Sequence, residues 1–450
     1  MRPSIAVRLL IIFLCLALTS FVSANAQARK LSFIRDAEIE NTIRLYATPI
    51  FRAAGLEPSA INIYVVNDKT LNAFVAGGQK LFINTGLLMR SQNAGQVIGV
   101  IAHETGHIAG GHLSRTRDAM KNSSAARILA MVLGGAAAIG GRGDVGSAII
   151  AGGQQMGIRN FLQYSRTQES AADAAAMRFL DATKQSSKGI LEFFKILGDQ
   201  ELLSVKRQDP YYRSHPLTRE RIHAVEGFVQ HSPYTDKREP ADFIERHARM
   251  KAKLQAFFDP PSRTLRSYKE DDPSIEARYA RAIAYYRRPD LERAIPLIDG
   301  LIAERPADPY FQELKGQMLF ENGRIREALP YYEKSVQLAP GSALLHRALG
   351  RVQLEIGDPI QLEGAVENLL VATNADKTDP FSWRLLGTAY GKMDKRGESS
   401  LALGEAALLV NKPAEAKFHA GRAAGLFNEG SIGWIQAQDI LHAVENQKAK

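Results

Sequence analysis

Cysteine is nearly absent from this chain, which has one, Cys15, among 450 residues. Cys15 lies in an N-terminal segment that we expect to be cleaved off, so the mature chain has no thiol for a disulfide, although an exported compartment would permit one. No small-residue lipoprotein box precedes Cys15, so no lipid anchor is predicted there. Stability must therefore come from burial of apolar side chains, and about 420 residues suffice for more than one core.

An apolar run long enough to span a membrane is missing at the N-terminus. The run Leu9–Leu18 is shorter than the roughly 20 apolar residues that a spanning helix needs. Arg2 and Arg8 precede this run, and the small residues of Ala24–Ala28 follow it, which is the pattern of a secretory signal peptide. We therefore expect residues 1–26 to be a signal peptide and the mature protein to be periplasmic.

Acidic residues are fewer than basic ones, and the formal net charge is +9. Two of these charges, on Arg2 and Arg8, belong to the signal peptide. The sequence contains no nucleic-acid-binding motif, and an exported protein meets mainly phospholipids and envelope proteins, so nucleic acid is not expected as a partner. The basic charge indicates anionic membrane surfaces or protein partners, and peripheral contact with the outer membrane is one expectation.

Two of the ten histidines lie in one short motif. The apolar run Val97–Ala102 leads directly into His103–His107, which reads H-E-x-x-H. On a helix, residues four apart share a face, so His103 and His107 can both present a ring nitrogen to one zinc ion. Glu104 lies one step around the helix, where it can take a proton from a water that attacks a carbonyl. The alternative is a helix that carries two histidines by chance, and the motif favours a zinc metallopeptidase.

A catalytic zinc usually has three protein ligands, so a third must be found. His112 is near in sequence, but the longer metzincin pattern requires histidine at the position of Leu113. Downstream, Glu169 and Asp173 lie four apart in an Ala-rich segment that reads as a helix. Glu169 can bind the metal while Asp173 accepts the far N–H of a ligand histidine. The alternative is an ordinary solvated acidic pair.

These motifs resemble those of the gluzincin peptidases related to HtpX and the CAAX prenyl proteases. The resemblance rests on His103–His107 and Glu169–Asp173, and upstream on Asn72–Phe74, Gly77-Gly78 and Thr85–Leu88. The order of domains is similar to a soluble periplasmic branch of that family, over essentially the whole mature chain. The resemblance implies a role in envelope quality control, because such relatives assist assembly of outer-membrane β-barrel proteins and degrade those that stall.

The N-terminal half combines helical and strand patterns. Asp36–Ala54 predicts an amphipathic helix, Ile61–Asp68 a strand, and Phe74 to Asn84 a hairpin around two glycines. We predict an α+β metallopeptidase domain over residues 27–258, mainly helical with a small β-sheet. An edge strand of this sheet would allow an extended substrate to pair by β-augmentation.

Residues 128–157 are rich in glycine and alanine, and their apolar pieces are too short to span a bilayer. A mobile lid, a membrane-contacting hairpin and two core helices all remain open for this segment. Farther along, residues 259–272 are polar and contain Pro260, Pro261 and Pro273 at or beside their limits. We predict a linker there.

The C-terminal half repeats with a period of 34 residues: Ala294 recurs as Ala328, Pro306 as Pro340, and Gly316 as Gly350. The next unit brings in Trp383–Tyr390, which reads W-x-x-L-G-x-x-Y. This period and motif are typical of tetratricopeptide repeats, whose stacked helical hairpins present a concave groove to proteins. We predict an all-α tetratricopeptide-repeat solenoid over residues 273–450, with four units to about residue 411.

His215 lies in Arg213-Ser214-His215-Pro216, and similar Ser-His-Pro segments occur in the relatives named above. Because Pro216 disfavours helix at the residue before it, we expect His215 in an extended loop at a helix start. Three roles stay open: His215 could donate a hydrogen bond to an oxyanion, swing onto the zinc as a fourth ligand, or cap its helix.

The sequence therefore predicts an exported zinc endopeptidase with a helical-repeat recognition domain. One zinc per chain is held by His103, His107 and Glu169, with Glu104 as the base. Protein substrates and the envelope assembly machinery are the expected partners of the repeats. The competing prediction is a chaperone or assembly adaptor, in which the repeats act with little proteolysis.

Overall fold

The computed structural model describes residues 32–112, 154–198 and 210–448. The predicted signal peptide and residues 128–153 lie outside these ranges. Within them, the strands are β1 Phe33–Ile34, β2 Asn62–Val66, β3 Ala73–Ala76 and β4 Lys80–Asn84. The first nine described helices are α1 Ala37–Ala53, α2 Thr85–Arg90, α3 Ala94–Ala109, α4 Gln154–Ala182, α5 Lys188–Gly198, α6 Pro210–Ser214, α7 Arg219–His231, α8 Ala241–Phe258 and α9 Pro261–Ser267. A small sheet among helices confirms the predicted α+β class.

The sheet has the strand order β1-β2-β4-β3, in which β2 and β4 are parallel and the other pairs antiparallel. β3 and β4 form the predicted hairpin, and its turn contains Gly77 and Gly78 at φ +58° and +92°. Only glycine adopts these angles without strain. Alternate residues such as Val65 and Ile83 face the helices and are fully or almost fully buried.

Helix α3 carries the H-E-x-x-H motif through the middle of this core. Asn93 begins it by accepting a hydrogen bond from the Gln96 N–H at 2.9 Å, as an N-cap does. The helix approaches α4 closely at Gly106, where an added Cβ would lie 2.8 Å from the carbonyl oxygen of Ala172. Glycine at position 106 is thus required for the backbones of α3 and α4 to meet.

The C-terminal half consists of five antiparallel helix pairs, which confirms the predicted solenoid. The helices are α10 Ile275–Tyr286, α11 Leu291–Glu304, α12 Pro309–Glu321, α13 Ile325–Leu338, α14 Ala343–Ile356, α15 Pro359–Ala375, α16 Pro380–Lys392, α17 Arg396–Leu409, α18 Pro413–Leu426 and α19 Ile432–Lys448. The periodic glycines lie under large side chains, Gly316 under Tyr332 and Gly350 under Leu369. No helix in the described ranges is long and apolar enough to cross a membrane.

The predicted linker, residues 259–272, contains helix α9. Pro261 is its first residue, a position where the missing N–H costs no hydrogen bond. Tyr268 donates a hydrogen bond to Gln255 at 2.5 Å, and Ala252 and Ala256 of α8 are buried in one cluster with Tyr279 of the first repeat. The domain limits stay a prediction, and the chain packs continuously across them.

Buried charges join α1, α8 and the repeats. Glu38 of α1, 3% exposed, lies 2.7 Å from Arg249 and 3.2 Å from Lys253 of α8, and it accepts a hydrogen bond from the Tyr279 hydroxyl at 2.7 Å. Arg249 also pairs with Asp308 of the second repeat at 2.6 Å. Although burial opposes ionisation, the two cations hold the pKa of Glu38 below its usual range. We call Glu38, Arg249, Lys253, Tyr279 and Asp308 the interdomain cluster.

Neutralising Glu38 should destabilise the whole chain. In Glu38→Gln, two buried cations lose a charged partner, and removal of one member of a buried pair costs about 3–5 kcal/mol. Urea unfolding should show this loss in the free energy of unfolding. Glu363→Gln, which neutralises an exposed glutamate on α15, should change it by less than about 0.5 kcal/mol. Equal stability of the two variants would show that the cluster does not hold the halves together.

Candidate metal centre

Helices α3 and α4 bring the two predicted motifs to one buried place. His103 and His107 come from α3, Glu169 comes from α4, and His215 approaches from the residue after α6. One ligand atom from each of these four buried residues lies within 4.8 Å of every other. The structure thus groups four of the residues that the sequence singled out.

The distances within this group fit a small tetrahedral ion. The Nε2 atom of His103 is 3.1 Å from His107 Nε2 and 3.4 Å from both Glu169 Oε2 and His215 Nδ1. His215 Nδ1 is 3.1 Å from Glu169 Oε2, and His107 Nε2 is 3.4 Å from Glu169 Oε1. A tetrahedral zinc with bonds of about 2.0–2.1 Å separates its ligand atoms by about 3.3–3.4 Å. The donor types and their spacing therefore fit a metal site.

Glu169 is suited to bind a cation because it stays ionised. Burial acts to raise its pKa, but electrostatic interaction and hydrogen bonding with His215 and His103 hold the pKa of Glu169 well below its usual range. The alternative of a solvated acidic pair does not describe this residue, which is 4% exposed.

Glu104 has no hydrogen-bond partner for either carboxylate oxygen within the described part of the chain. It is fully buried, and His215 Nε2 lies 3.5 Å from its Oε1. Burial raises the pKa of Glu104, because desolvation disfavours the charged carboxylate. A buried carboxylate that accepts no hydrogen bond, beside a cluster of ligand atoms, is placed to exchange a proton with a small molecule such as water.

Asp173 and Arg221 support the cluster from behind. Asp173 Oδ1 lies 2.8 Å from His103 Nδ1, and Arg221 donates to the other oxygen of Asp173 at 2.6 Å. Arg221 also lies 3.1 Å from Glu169 Oε2 and donates to the carbonyl oxygen of Pro216 at 2.8 Å. Burial opposes ionisation of Asp173, but hydrogen bonds from His103 and Arg221 lower its pKa. One guanidinium thus orients α3, α4 and the His215 segment together.

Arg221 and Tyr211 belong to none of the sequence motifs, yet both contact the cluster. Tyr211 stacks on His215 with the ring centroids 4.5 Å apart. The position of Arg221 in the sequence is unusual in one respect. It lies in the first turn of α7, where a cation opposes the helix dipole. Such a residue is tolerated when carboxylates compensate its charge, as Asp173 and Glu169 do here.

His215 differs from the expected extended loop residue. Its N–H donates to the Tyr211 carbonyl at 2.8 Å, so His215 closes the single turn of α6 before the chain extends toward the Thr218 N-cap of α7. Pro216 prevents the helix from continuing. The turn aims the imidazole inward, and the residue is 8% exposed.

His112 lies outside the group of four ligand residues. Its Nδ1 is 2.9 Å from Nδ1 of His107, which is the ring nitrogen opposite the one that faces His103. One of the two rings must donate in this contact, so His112 can fix the tautomer of His107. This placement agrees with the spacing argument against His112 as a third ligand.

Arg221→Lys should weaken the metal site although it keeps the charge. Lysine cannot make the two parallel hydrogen bonds to Asp173 while also reaching Glu169 and the Pro216 carbonyl. Loss of such supporting contacts typically lowers metal affinity about 10- to 100-fold, which metal competition with a chelating dye would measure. The neighbouring exposed residue supplies the control, Arg219→Lys, which should bind metal normally. Undiminished affinity in Arg221→Lys would remove the supporting role.

Comparison with known proteins agrees with this geometry. The sequence profile of peptidase family M48 matches residues 34–229, and that of the tetratricopeptide repeat matches residues 263–309, 279–343 and 313–359. A putative beta-barrel assembly-enhancing protease of Vibrio cholerae is 24% identical over 347 residues, which cover 76% of this chain and 70% of the relative. The beta-barrel assembly-enhancing protease of Yersinia pestis is 22% identical over 375 residues, 79% of this chain and 73% of the relative.

The metalloprotease LoiP of Escherichia coli is 28% identical over 181 residues, which cover 40% of this chain and 67% of the relative. The predicted resemblance to metallopeptidases that carry helical repeats is confirmed by these matches. The chain is therefore a metalloprotease, with a peptidase family M48 domain followed by tetratricopeptide repeats.

Proposed function

We propose that this protein is an exported, zinc-dependent endopeptidase of cell-envelope quality control, which degrades misassembled outer-membrane β-barrel proteins and aids the assembly of others. The buried group of four ligand residues beside the unpartnered carboxylate of Glu104 carries the proposal. The names of the Vibrio and Yersinia relatives support the substrate class.

In this proposal His103, His107 and Glu169 hold the zinc, and Asp173 fixes the tautomer of His103 through its Nδ1. The zinc, when bound, supplies Lewis-acid chemistry and lowers the pKa of a water toward about 7. Three ligands of this type, two imidazoles and a carboxylate, are typical of zinc peptidases.

Glu104 is the proposed general base and acid. Its carboxylate accepts a proton from the attacking water and then passes that proton to the nitrogen that leaves the cleaved peptide bond. The unpartnered oxygens leave room for such an exchange, and the burial that raises the pKa of Glu104 brings it closer to neutral pH, where a base is most effective.

His215 is proposed to close the site as a fourth ligand. Its Nδ1 lies about as far from His103 Nε2 and Glu169 as ligand atoms of one tetrahedral zinc do. If the ring turned away, it would leave that position to water. In the alternative role, the imidazole would instead donate a hydrogen bond to the oxyanion of the scissile carbonyl. A closed resting site suits a protease that must spare folding intermediates.

The remaining expectations complete the proposal. Residues 1–26 serve as the signal peptide, residues 27–258 form the peptidase domain, and residues 273–450 form the recognition domain. The repeats bind protein substrates and the envelope assembly machinery. The protein works in the periplasm, with peripheral contact to the outer membrane through its basic charge.

A second function is favoured by the same closed geometry. With His215 as fourth ligand the metal has no open position, and closed zinc sites are structural rather than catalytic. The protein would then act as a chaperone or assembly adaptor through its repeats. The two functions make different predictions for Glu104.

Glu104→Gln should abolish proteolysis and spare metal binding, because it removes the base and leaves the ligands in place. Loss of general acid–base catalysis costs about 10²- to 10⁴-fold in rate. Hydrolysis of an unfolded model protein, together with the zinc content of the purified chain, measures both effects. Glu333→Gln, on the exposed face of a repeat helix, should retain full activity. An intact cellular role in Glu104→Gln would favour the adaptor instead.

His215→Ala separates the proposed roles of the imidazole by the rate of cleavage. If His215 closes the site, its removal should raise the cleavage rate or let the enzyme attack proteins that it normally spares. If the ring mainly binds the oxyanion, turnover should fall by about 10²- to 10³-fold. Cleavage of an unfolded and a folded protein by the metal-loaded variant would be compared. An unchanged rate on both proteins would rule out both roles.

A further inference from the structure

Four aromatic side chains form a continuous row across one face of the sheet, one from each strand. The ring centroids of Phe33 on β1 and Tyr64 on β2 are 5.5 Å apart. Tyr64 stacks on Phe82 of β4 with the centroids 5.0 Å apart, and Phe82 stacks on Phe74 of β3 with the centroids 4.8 Å apart. The last two distances match the spacing of neighbouring strands, about 4.7–4.9 Å. We call these four residues the aromatic row.

The aromatic row lies on the face of the sheet away from α3. The residues that alternate with it, such as Ile63, Val75 and Leu81, are buried with α3 in the main core. Phe33 is 43% exposed, and Tyr64 and Phe74 are half-buried. Phe82 between them is buried, at 9% exposed, but none of the four rings belongs to the main core, and sheet faces turned outward usually carry polar residues.

One end of the aromatic row lies on β3, which together with β1 forms the two edges of the described sheet. Asn84 N–H donates to the Asn72 carbonyl at 3.0 Å, which fixes the pattern of the antiparallel pair β3–β4. By alternation, the backbone groups of Phe74 also point toward β4, while those of Ala73 and Val75 point outward. An added strand would bond to Ala73 and Val75 and place one of its side chains beside the ring of Phe74.

This outer edge of β3 leads to the metal centre. Just before β3, the Leu71 carbonyl accepts a hydrogen bond from the Tyr211 N–H at 3.4 Å. Tyr211 stacks on His215, one of the four grouped ligand residues. A polypeptide that pairs along β3 therefore runs toward the residues proposed to cut it.

We infer that Phe74 selects the substrate: an extended polypeptide pairs with the edge of β3, and an aromatic side chain of that polypeptide stacks on Phe74 as the fifth member of the aromatic row. The inference rests on the proposed peptidase function and names the chemistry that its cleft accepts. Phe74 is a specificity-determining residue, while Phe82 and Tyr64 position it.

The selected class is a strand that carries aromatic residues on one face and is not yet paired. Strands of membrane β-barrels alternate apolar and polar residues and carry aromatic residues near both membrane interfaces. Once such a strand is folded into its barrel, both of its edges are bonded, so it cannot pair with β3. The aromatic row thus distinguishes unassembled strands from assembled ones.

The test uses the full mature chain and a fluorescent host peptide of extended, polar sequence, in which one position at a time carries either Phe or Ala. Binding to the Glu104→Gln protein is followed by anisotropy, so that it is measured without cleavage. At one position the Phe peptide should bind about three- to tenfold more tightly than its Ala partner, the amount that an aromatic pair contributes. Cleavage by the active protein should show the same preference in KM.

Phe74→Ala and Phe74→Leu should both reduce the preference for the Phe peptide over the Ala peptide to less than about twofold. Phe74→Leu removes the aromatic ring but keeps an apolar side chain. Phe33→Ala removes the other end of the aromatic row, on the opposite edge strand β1, and should keep the preference if the polypeptide pairs with β3. A preference that survives in Phe74→Leu, or that is absent from the unsubstituted chain, overturns the inference. Selective binding without cleavage by the active protein would instead contradict the proposed peptidase function and leave the role of Phe74 standing.

Discussion

The contact between α3 and α4 at Gly106 is the constraint on which the rest of the site depends. Only a residue without a Cβ allows the backbone of α3 to reach Ala172, and this approach sets Glu169 and Asp173 of α4 against His103 of α3. Two motifs more than sixty residues apart in sequence can share one ion only if their helices lie this close. Formation of the site therefore requires glycine at position 106 as much as it requires the two histidines on either side of it.

Close packing of α3 and α4 also buries charged side chains, and a small number of neighbouring residues compensate their charge. Arg221 contacts Asp173 and Glu169 at once; with His103 it lowers the pKa of Asp173, while His215 and His103 lower that of Glu169. Glu104 accepts no hydrogen bond from the described residues, and burial raises its pKa instead. The difference fits the proposed roles, in which ligands and their supports hold one charge state, while a base changes its own.

Sequence reasoning reached the chemistry more easily than the geometry. Three patterns are local in the sequence: the spacing of His103 and His107, the acidic pair that begins at Glu169, and the 34-residue period. Each of them predicts helix, and the structure has helices at all three places. Arg221 could not be assigned, since its importance comes from a burial that depends on three separate segments. The turn at His215 was hidden as well, because a single helical turn at Pro210–Ser214 is too short for periodicity to indicate.

The interdomain cluster explains why the boundary between the two halves was hardest to infer. Proline and charge at residues 259–272 are typical of a linker, yet the same composition suits the short helix α9 and buried ion pairs across a tight interface. From the sequence alone, Arg249 and Lys253 are typical of solvated charges on an amphipathic helix. Only the structure shows that their partners lie on α1 and on the repeats. Buried ion pairs therefore join the first repeats to the half that carries the metal centre. Under the proposed function, a protein bound by the repeats would be presented to the cleft as part of one molecule, and its local concentration there would be set by this geometry rather than by diffusion.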